Sequence, residues 1–394
     1  MKTLLAATAL GSLAVSAAFA QDQDVKIGIS LGFTGPLESL APPMEGGARL
    51  AIEEVNDSGL LLGGATVTAV SGDSTCIDAG AATATGERLV GEGVKGIMGA
   101  MCSGATGAVL SNVALPNGVA MISPSATSPA LSTVEDNGLF FRTAPSDARQ
   151  GEIMTEVIRD RGINEVALTY TNNDYGKGLA DSFQAAFEAA GGSVTISAPH
   201  DDGKGDYAAE VGALASAGGE LLVVAGYVDQ GGSGIIRGAL DSGAFDTFVL
   251  PDGMVGAVLE ENFGSELDGS FGQLPGSDSE GAGIFAEMVG DAFDPTSPYA
   301  GESYDAAALM LLAMQAAGSS DASDFKESVL TVANAPGEPI LPGELAKGLQ
   351  ILADGGEIDY VGASAVELLE AGESAGSFRE IEIKDGKIET VGFR

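Results

Sequence analysis

The chain has 394 residues, room for about two to three average domains, and sets 18 Lys and Arg against 56 Asp and Glu for a net charge of −38. A surface that acidic repels phosphate backbones and anionic lipid, which argues against nucleic-acid and membrane-surface roles. One histidine, two cysteines and no tryptophan exclude a four-cysteine iron–sulfur cluster and most zinc chemistry, and leave His200 as the sole base for a His-dependent triad.

Lys2, an apolar run from Leu4 to Ala18 and the triplet Ala18-Phe19-Ala20 before Gln21 read as a secretory signal over residues 1–20. The run is too short for a membrane span, and no cysteine follows it to carry a lipid anchor. An exported, soluble chain is expected. In an oxidising compartment Cys76 and Cys102, the only pair, can form a disulfide worth roughly 3–4 kcal/mol; two free buried thiols are the alternative.

Short apolar or β-branched runs then recur: Val25–Leu31, Thr66–Ser71, Val94–Gly99, Val119–Ser123, Glu165–Thr171, Ser193–Ala198, Leu221–Tyr227 and Thr247–Leu250. Many are apolar on both faces, as buried parallel strands are. Amphipathic segments separate them, notably Met44–Ser58 and Gly178–Ala190, the latter stopped by Gly191-Gly192. The spacing of strand starts 66, 94 and 119 repeats at 193, 221 and 247, which predicts two successive doubly wound α/β lobes with a compact join near Phe140–Gln150. A further helix is expected over Glu302–Gln315. Arg379–Lys384 and Lys387–Phe393 read as a hairpin about the turn Asp385-Gly386.

Catalytic patterns are weak. Gly28-Ile29-Ser30-Leu31-Gly32 matches a nucleophile-elbow string, but Ser30 falls inside a predicted strand rather than on a strand-to-helix turn. His200 with Asp201, Asp202 and Asp206 lacks the spacing of a calcium loop and reads as a solvated loop, with Asp206 capping a helix over Tyr207–Ala217. No phosphate-binding glycine loop stands between a strand and a helix. Polar residues instead gather at the carboxyl ends of strands, where open α/β sheets bind ligands: Cys102-Ser103-Gly104, Ser123–Thr127, Asp174-Tyr175-Gly176, Tyr227 and Asp252-Gly253. Hydroxyls from the first lobe suit a carboxylate, and tyrosines with one acid from the second suit an ammonium.

These strings, together with Thr34-Gly35-Pro36, the helix 47–58, Gly72–Cys76 and Asp174–Gly178, resemble the periplasmic branched-chain amino-acid (leucine/isoleucine/valine) binding proteins, type I solute-binding proteins of ABC importers. The resemblance covers nearly the whole chain after residue 20. It implies two Rossmann-like lobes joined by a three-strand hinge, with residues 21–143 and 275–350 in one and 144–274 and 351–394 in the other. It implies a Cys76–Cys102 disulfide and a ligand held by Ser103, Ser125, Ala126, Thr127, Tyr175, Tyr227, Asp252 and Tyr304. It further implies a monomeric periplasmic protein without catalysis, metal or cofactor. Its expected partners are a small aliphatic L-amino acid and the permease of an importer, with no nucleic acid and no insertion into the membrane. Three departures bear on the ligand. Asp252 stands where the family usually has Glu; Leu40-Ala41-Pro42-Pro43 occupy a stretch that often carries an aromatic; and Gly355–Ser364 with Glu367–Gly376 are extended. Binding proteins of the same fold for amides, urea or aromatic carboxylates are the alternative. A secreted serine hydrolase is a remote one, and a cytosolic amide sensor is countered by the signal segment.

Overall fold

A computed structural model describes residues 24–394. The signal segment read at 1–20 lies outside the described residues. Strands β1 (Asp24–Leu31), β2 (Thr66–Asp73), β3 (Gly96–Gly99), β4 (Ala120–Ser123) and β5 (Phe140–Arg142) form a parallel sheet in the order β2-β1-β3-β4-β5. In β3 and β4 every residue is buried, which is why their sequences show no alternation. The helix Ala41–Ser58, begun by Pro42 and Pro43 in its first turn, packs on this sheet and along the helix Ala300–Ala317. The approach of those two helices requires glycine: a Cβ on Gly47 would lie 2.2 Å from the Ala300 carbonyl oxygen. The helix 300–317 is buried on nearly all sides, so its sequence is apolar all round rather than amphipathic.

Strands β6 (Glu165–Thr171), β7 (Ser193–His200), β8 (Leu221–Ala225), β9 (Phe248–Pro251) and β10 (Phe271–Pro275) build the second sheet. After β11 (Glu338–Ile340) and β12 (Ile358–Tyr360), the chain adds β13 (Phe378–Lys384) and β14 (Lys387–Phe393) to it, giving the order β14-β13-β10-β9-β8-β6-β7. The terminal hairpin forms where the sequence predicts it. Asp385 (φ 50°) and Gly386 (φ 73°) both take the left-handed conformation that a two-residue turn of this hand requires.

The chain passes between the sheets near 143–146, 275–279 and 374–378. The crossings lie side by side: Ser374 N–H donates to the Arg142 carbonyl, and Gly276 N–H to that of Ser377. The expected lobe boundary at 350 is corrected here. Residues 351–373 stay with the first lobe because β12 pairs in parallel with β11, and because Tyr360, Ala363 and Ser364 donate hydrogen bonds to the buried Asp305 carboxylate on the helix 300–317. Only from β13 does the chain rejoin the second sheet. No helix among the described residues is long and apolar enough to cross a membrane.

Candidate functional site

In each sheet the strand order reverses about one strand, β1 in the first and β6 in the second, and ligands in such sheets bind beyond the carboxyl ends at that crevice. The two crevices face each other. Leu37 and Leu40 after β1, Met101, Cys102 and Ser103 after β3 and Ser125 after β4 meet Tyr175 after β6, Tyr227 after β8 and Asp252-Gly253 after β9. Tyr299, just before the helix 300–317, completes a cavity of about 310 Å³ of unfilled space. The Cys76–Cys102 disulfide is formed and anchors the wall that carries Ser103.

The first-lobe wall is a set of interlocked turns. The Ser125 hydroxyl donates to the Met101 carbonyl at 2.7 Å, and the Ser128 amide donates to the Ser103 hydroxyl oxygen at 3.1 Å. Opposite, the Tyr175 and Tyr227 rings stack with centroids 5.2 Å apart and planes inclined by 9°.

Asp252 is the electrostatic centre. Its Oδ1 accepts from the Tyr175 hydroxyl and from Gln150 Nε2, each at 2.8 Å, and its Oδ2 accepts from the Tyr299 hydroxyl at 2.6 Å. Burial raises the Asp252 pKa above the usual carboxylate value, against the pull of those donors. Burial, and then the Asp252 charge, likewise hold the phenols of Tyr175 and Tyr299 well above their ordinary value. A second carboxylate stands behind the first. Asp147 opens the helix Asp147–Asp160, is fully buried, and neither of its oxygens has a hydrogen-bond partner. Burial and then the Asp252 charge push its pKa well up, with Thr127 and Arg142 opposing.

Of the residues expected from sequence, the structure brings Ser103, Ser125, Tyr175, Tyr227 and Asp252 to one cavity. Ala126 and Thr127 lie buried beside it without lining it; the Thr127 hydroxyl has no partner and sits near Asp147. Tyr304 is corrected. Its side chain points away from the cavity to hydrogen-bond Glu54 and pack on Phe285, and Tyr299, one and a half turns earlier, supplies the hydroxyl. Tyr304→Phe should therefore leave ligand affinity within about twofold by titration calorimetry, whereas Tyr299→Phe should weaken it by about 1 kcal/mol or more.

Asp147, Gln150 and Tyr299 escaped the sequence reading. Asp147 follows Ser146, whose hydroxyl caps the helix, and an acid in a first turn reads as favourable helix charge. Its signal would have been the pairing of that acid with Gln150, three residues on and so on the same helical face. The remaining catalytic patterns dissolve. Ser30 is buried inside β1. His200 ends β7 rather than lying in a solvated loop; its Nδ1 pairs with the Thr169 hydroxyl at 2.8 Å, and burial lowers its pKa to about 4. Asp206 stands one residue before Tyr207, the N-cap of the helix Ala208–Ala217, so it does not cap that helix; its carboxylate accepts from the Ala208 amide at 2.9 Å in the turn leading in.

A second set of contacts spans the cleft beside the cavity. Asp229 of the second lobe accepts from the Ser39 amide at 2.8 Å, and its own amide donates to the Pro36 carbonyl at 3.1 Å. These bonds hold the lobes together without involving the cavity. Asp229→Ala should cost about 1 kcal/mol of closed-state stability, roughly fivefold in ligand affinity, read chiefly as faster release.

A sequence model described as periplasmic binding protein matches residues 24–341. The leucine-, isoleucine-, valine-, threonine- and alanine-binding protein of Pseudomonas aeruginosa is 28% identical over 333 residues, covering 84% of this chain and 87% of that one. A leucine-binding protein from Thermotoga maritima superposes with a TM-score of 0.79 at 22% identity, over 94% of this chain and 98% of that one. A solute-binding protein of an ABC transporter from R. palustris, in complex with benzoate, superposes with a TM-score of 0.76 at 19% identity, over 94% and 96% of the two chains. With a match over most of its length and a cleft built as two facing α/β crevices, the chain belongs to the periplasmic binding protein family.

Proposed function

We propose that the protein is the periplasmic receptor of an ABC importer and binds a small L-amino acid between its lobes. The observation that carries this reading is the pair of buried carboxylates. Asp252 already accepts from three neutral donors, whereas Asp147 accepts from none, so the pair offers a buried site for a cation. On the facing wall, the hydroxyls of Ser103 and Ser125 suit a carboxylate, and Leu37, Leu40 and Met101 give an apolar surface of aliphatic size. An ammonium, a carboxylate and a short side chain are what such a cavity selects. The Pseudomonas relative, named for leucine, isoleucine, valine, threonine and alanine, supports the same class. A ligand touching both lobes binds their closed arrangement better and so shifts the population towards it, which is the form a permease partner would read.

The benzoate-bound neighbour supplies the competing class. An aromatic carboxylate would leave Asp147 and Asp252 without a cation and would add a like charge to them, so the amino acid is favoured. Titration calorimetry against the twenty amino acids, urea, amides and benzoates tests the proposal. Saturable binding of uncharged ligands or benzoates alone would refute it.

The raised carboxyl pKa values set a pH dependence. An ammonium needs the pair ionised, while the free protein holds protons there to a higher pH than an exposed aspartate would. Affinity should therefore fall as pH drops through those raised values, and binding there should release protons. Calorimetry in buffers of different ionisation enthalpy reads the release directly. For the unliganded protein the sign reverses. The folded state binds more protons than the unfolded one over the same window, so stability declines as pH rises from the unfolded aspartate value of about 3.9 through the folded values.

A further inference from the structure

A second cavity lies behind the first, between the helix 300–317 and its preceding loop on one side and β13 and β14 on the other, with about 890 Å³ of unfilled space that opens to solvent. Tyr299 is a wall of both cavities. Glu302 projects from the first lobe into this space. It is only 6% exposed, yet its carboxylate has no hydrogen-bond or ion-pair partner in another residue among those described. Arg379 of the second lobe enters from the other side, with Nη2 donating to the Thr296 carbonyl at 2.9 Å. We propose that this hinge-side cavity is a second binding site for a small zwitterion, an α-amino acid whose ammonium meets Glu302 and whose carboxylate meets Arg379.

Among the described residues, each of these two groups lacks a counter-charge at ion-pair distance. Opposite charges that share a cavity ordinarily pair, but these two stand on different lobes and do not come within ion-pair distance. Burial lifts the Glu302 pKa to about 8, with Arg379 giving only partial relief, as expected of a carboxyl still lacking a close cation. A bridging zwitterion supplies each group with its counter-charge at once. A metal ion would find one carboxylate and mostly apolar surroundings, Phe285, Pro298 and Phe393 among them. A simple anion would meet Glu302. The apolar surroundings suit an aliphatic side chain. Occupancy would also brace Tyr299, whose backbone is left-handed (φ 63°) and whose hydroxyl donates to Asp252, and so couple the two cavities.

Equilibrium dialysis of the intact protein with radiolabelled L-leucine and L-alanine, carried to millimolar concentration, tests this. Two equivalents are expected, the weaker reduced at least tenfold in Glu302→Gln and in Arg379→Gln and kept in Asp147→Asn. L-Leucinamide and N-acetyl-L-leucine, each lacking one charge, should compete poorly for it. A single equivalent at saturation, or a second one insensitive to both substitutions, overturns the proposal. The amino-acid reading of the first cavity fails separately, if the tighter equivalent survives Asp147→Asn unchanged. Retention of the tighter equivalent shows that Glu302→Gln and Arg379→Gln fold, and retention of the weaker one shows that Asp147→Asn does. If one does not fold, crystals soaked in L-leucine decide: density bridging Glu302 and Arg379 supports the site, and water alone there refutes it.

Discussion

Asp147→Asn should raise the melting temperature of the unliganded protein and, in the same variant, weaken amino-acid binding by at least about 2 kcal/mol, roughly thirtyfold. Both effects have one cause. The Asp147 carboxylate is fully buried, neither of its oxygens is hydrogen-bonded, and the charge that acts on it most strongly is the like charge of Asp252. Replacing it with an isosteric amide removes an uncompensated buried charge and breaks no hydrogen bond, so the empty fold gains. An ammonium bound at Asp252 would lose the charge of the carboxylate behind it, so the complex loses. Asp252→Asn should weaken binding by a similar amount but without the gain in the empty state, because three donors now converge on that carboxylate. Differential scanning calorimetry with and without ligand reads both signs in one experiment. A role confined to structure would move the free and bound melting points together. Parallel shifts in Asp147→Asn would therefore take it out of the site.

That contrast shows which features the sequence carries openly. The strands lie close to their predicted positions because a parallel strand covered on both faces is an uninterrupted apolar run; Glu165–Thr171 coincides with β6 residue for residue. In the two large sheets, two strands escape for physical reasons. Phe140–Arg142 is three residues long and ends in a charge, and Phe271–Pro275 carries Gly272 and Gln273, whose burial nothing local announces. In the site, Tyr175, Tyr227 and Asp252 are legible because they follow apolar runs, and strand ends are where such folds bind. Tyr299 and Tyr304 lie five residues apart, and choosing between them needs the start of the helix at Ala300 and the path of the crossing before it. The same blindness to crossings misplaces residues 351–373: the three-residue pairing of β11 with β12 has no periodicity to detect, and the decisive contact, Asp305 to Tyr360, spans 55 positions.

Arg142 is a residue of this long-range kind, and its loss should be the most damaging substitution in the first lobe. Its guanidinium is about 1% exposed and has four oxygen partners. Nη1 donates to the carbonyls of Ala126 and Ser128 at 2.8 and 2.9 Å, and Nη2 donates to the Ser132 hydroxyl at 2.7 Å and to the Glu373 carboxylate. One planar fork thus fastens the loop that carries Ser125 to the last crossing between the lobes. Arg142→Met would strand the Glu373 carboxylate and leave the buried Ala126 carbonyl without a donor, while the Ser128 carbonyl keeps only the Leu131 amide, at a cost of about 3–5 kcal/mol. Arg142→Lys should recover little, because one ammonium cannot face four acceptors spread along a plane. Adding Glu373→Gln to Arg142→Met removes the stranded charge and should restore part of the stability while leaving the loop unfastened. The double variant should therefore regain melting temperature without regaining affinity, since the Ser125 hydroxyl and the Ser128 amide that grips Ser103 would still lack their anchor. Urea unfolding and ligand titration on the three variants separate the two effects. Recovery of affinity in step with stability would mean that Arg142 serves the fold alone.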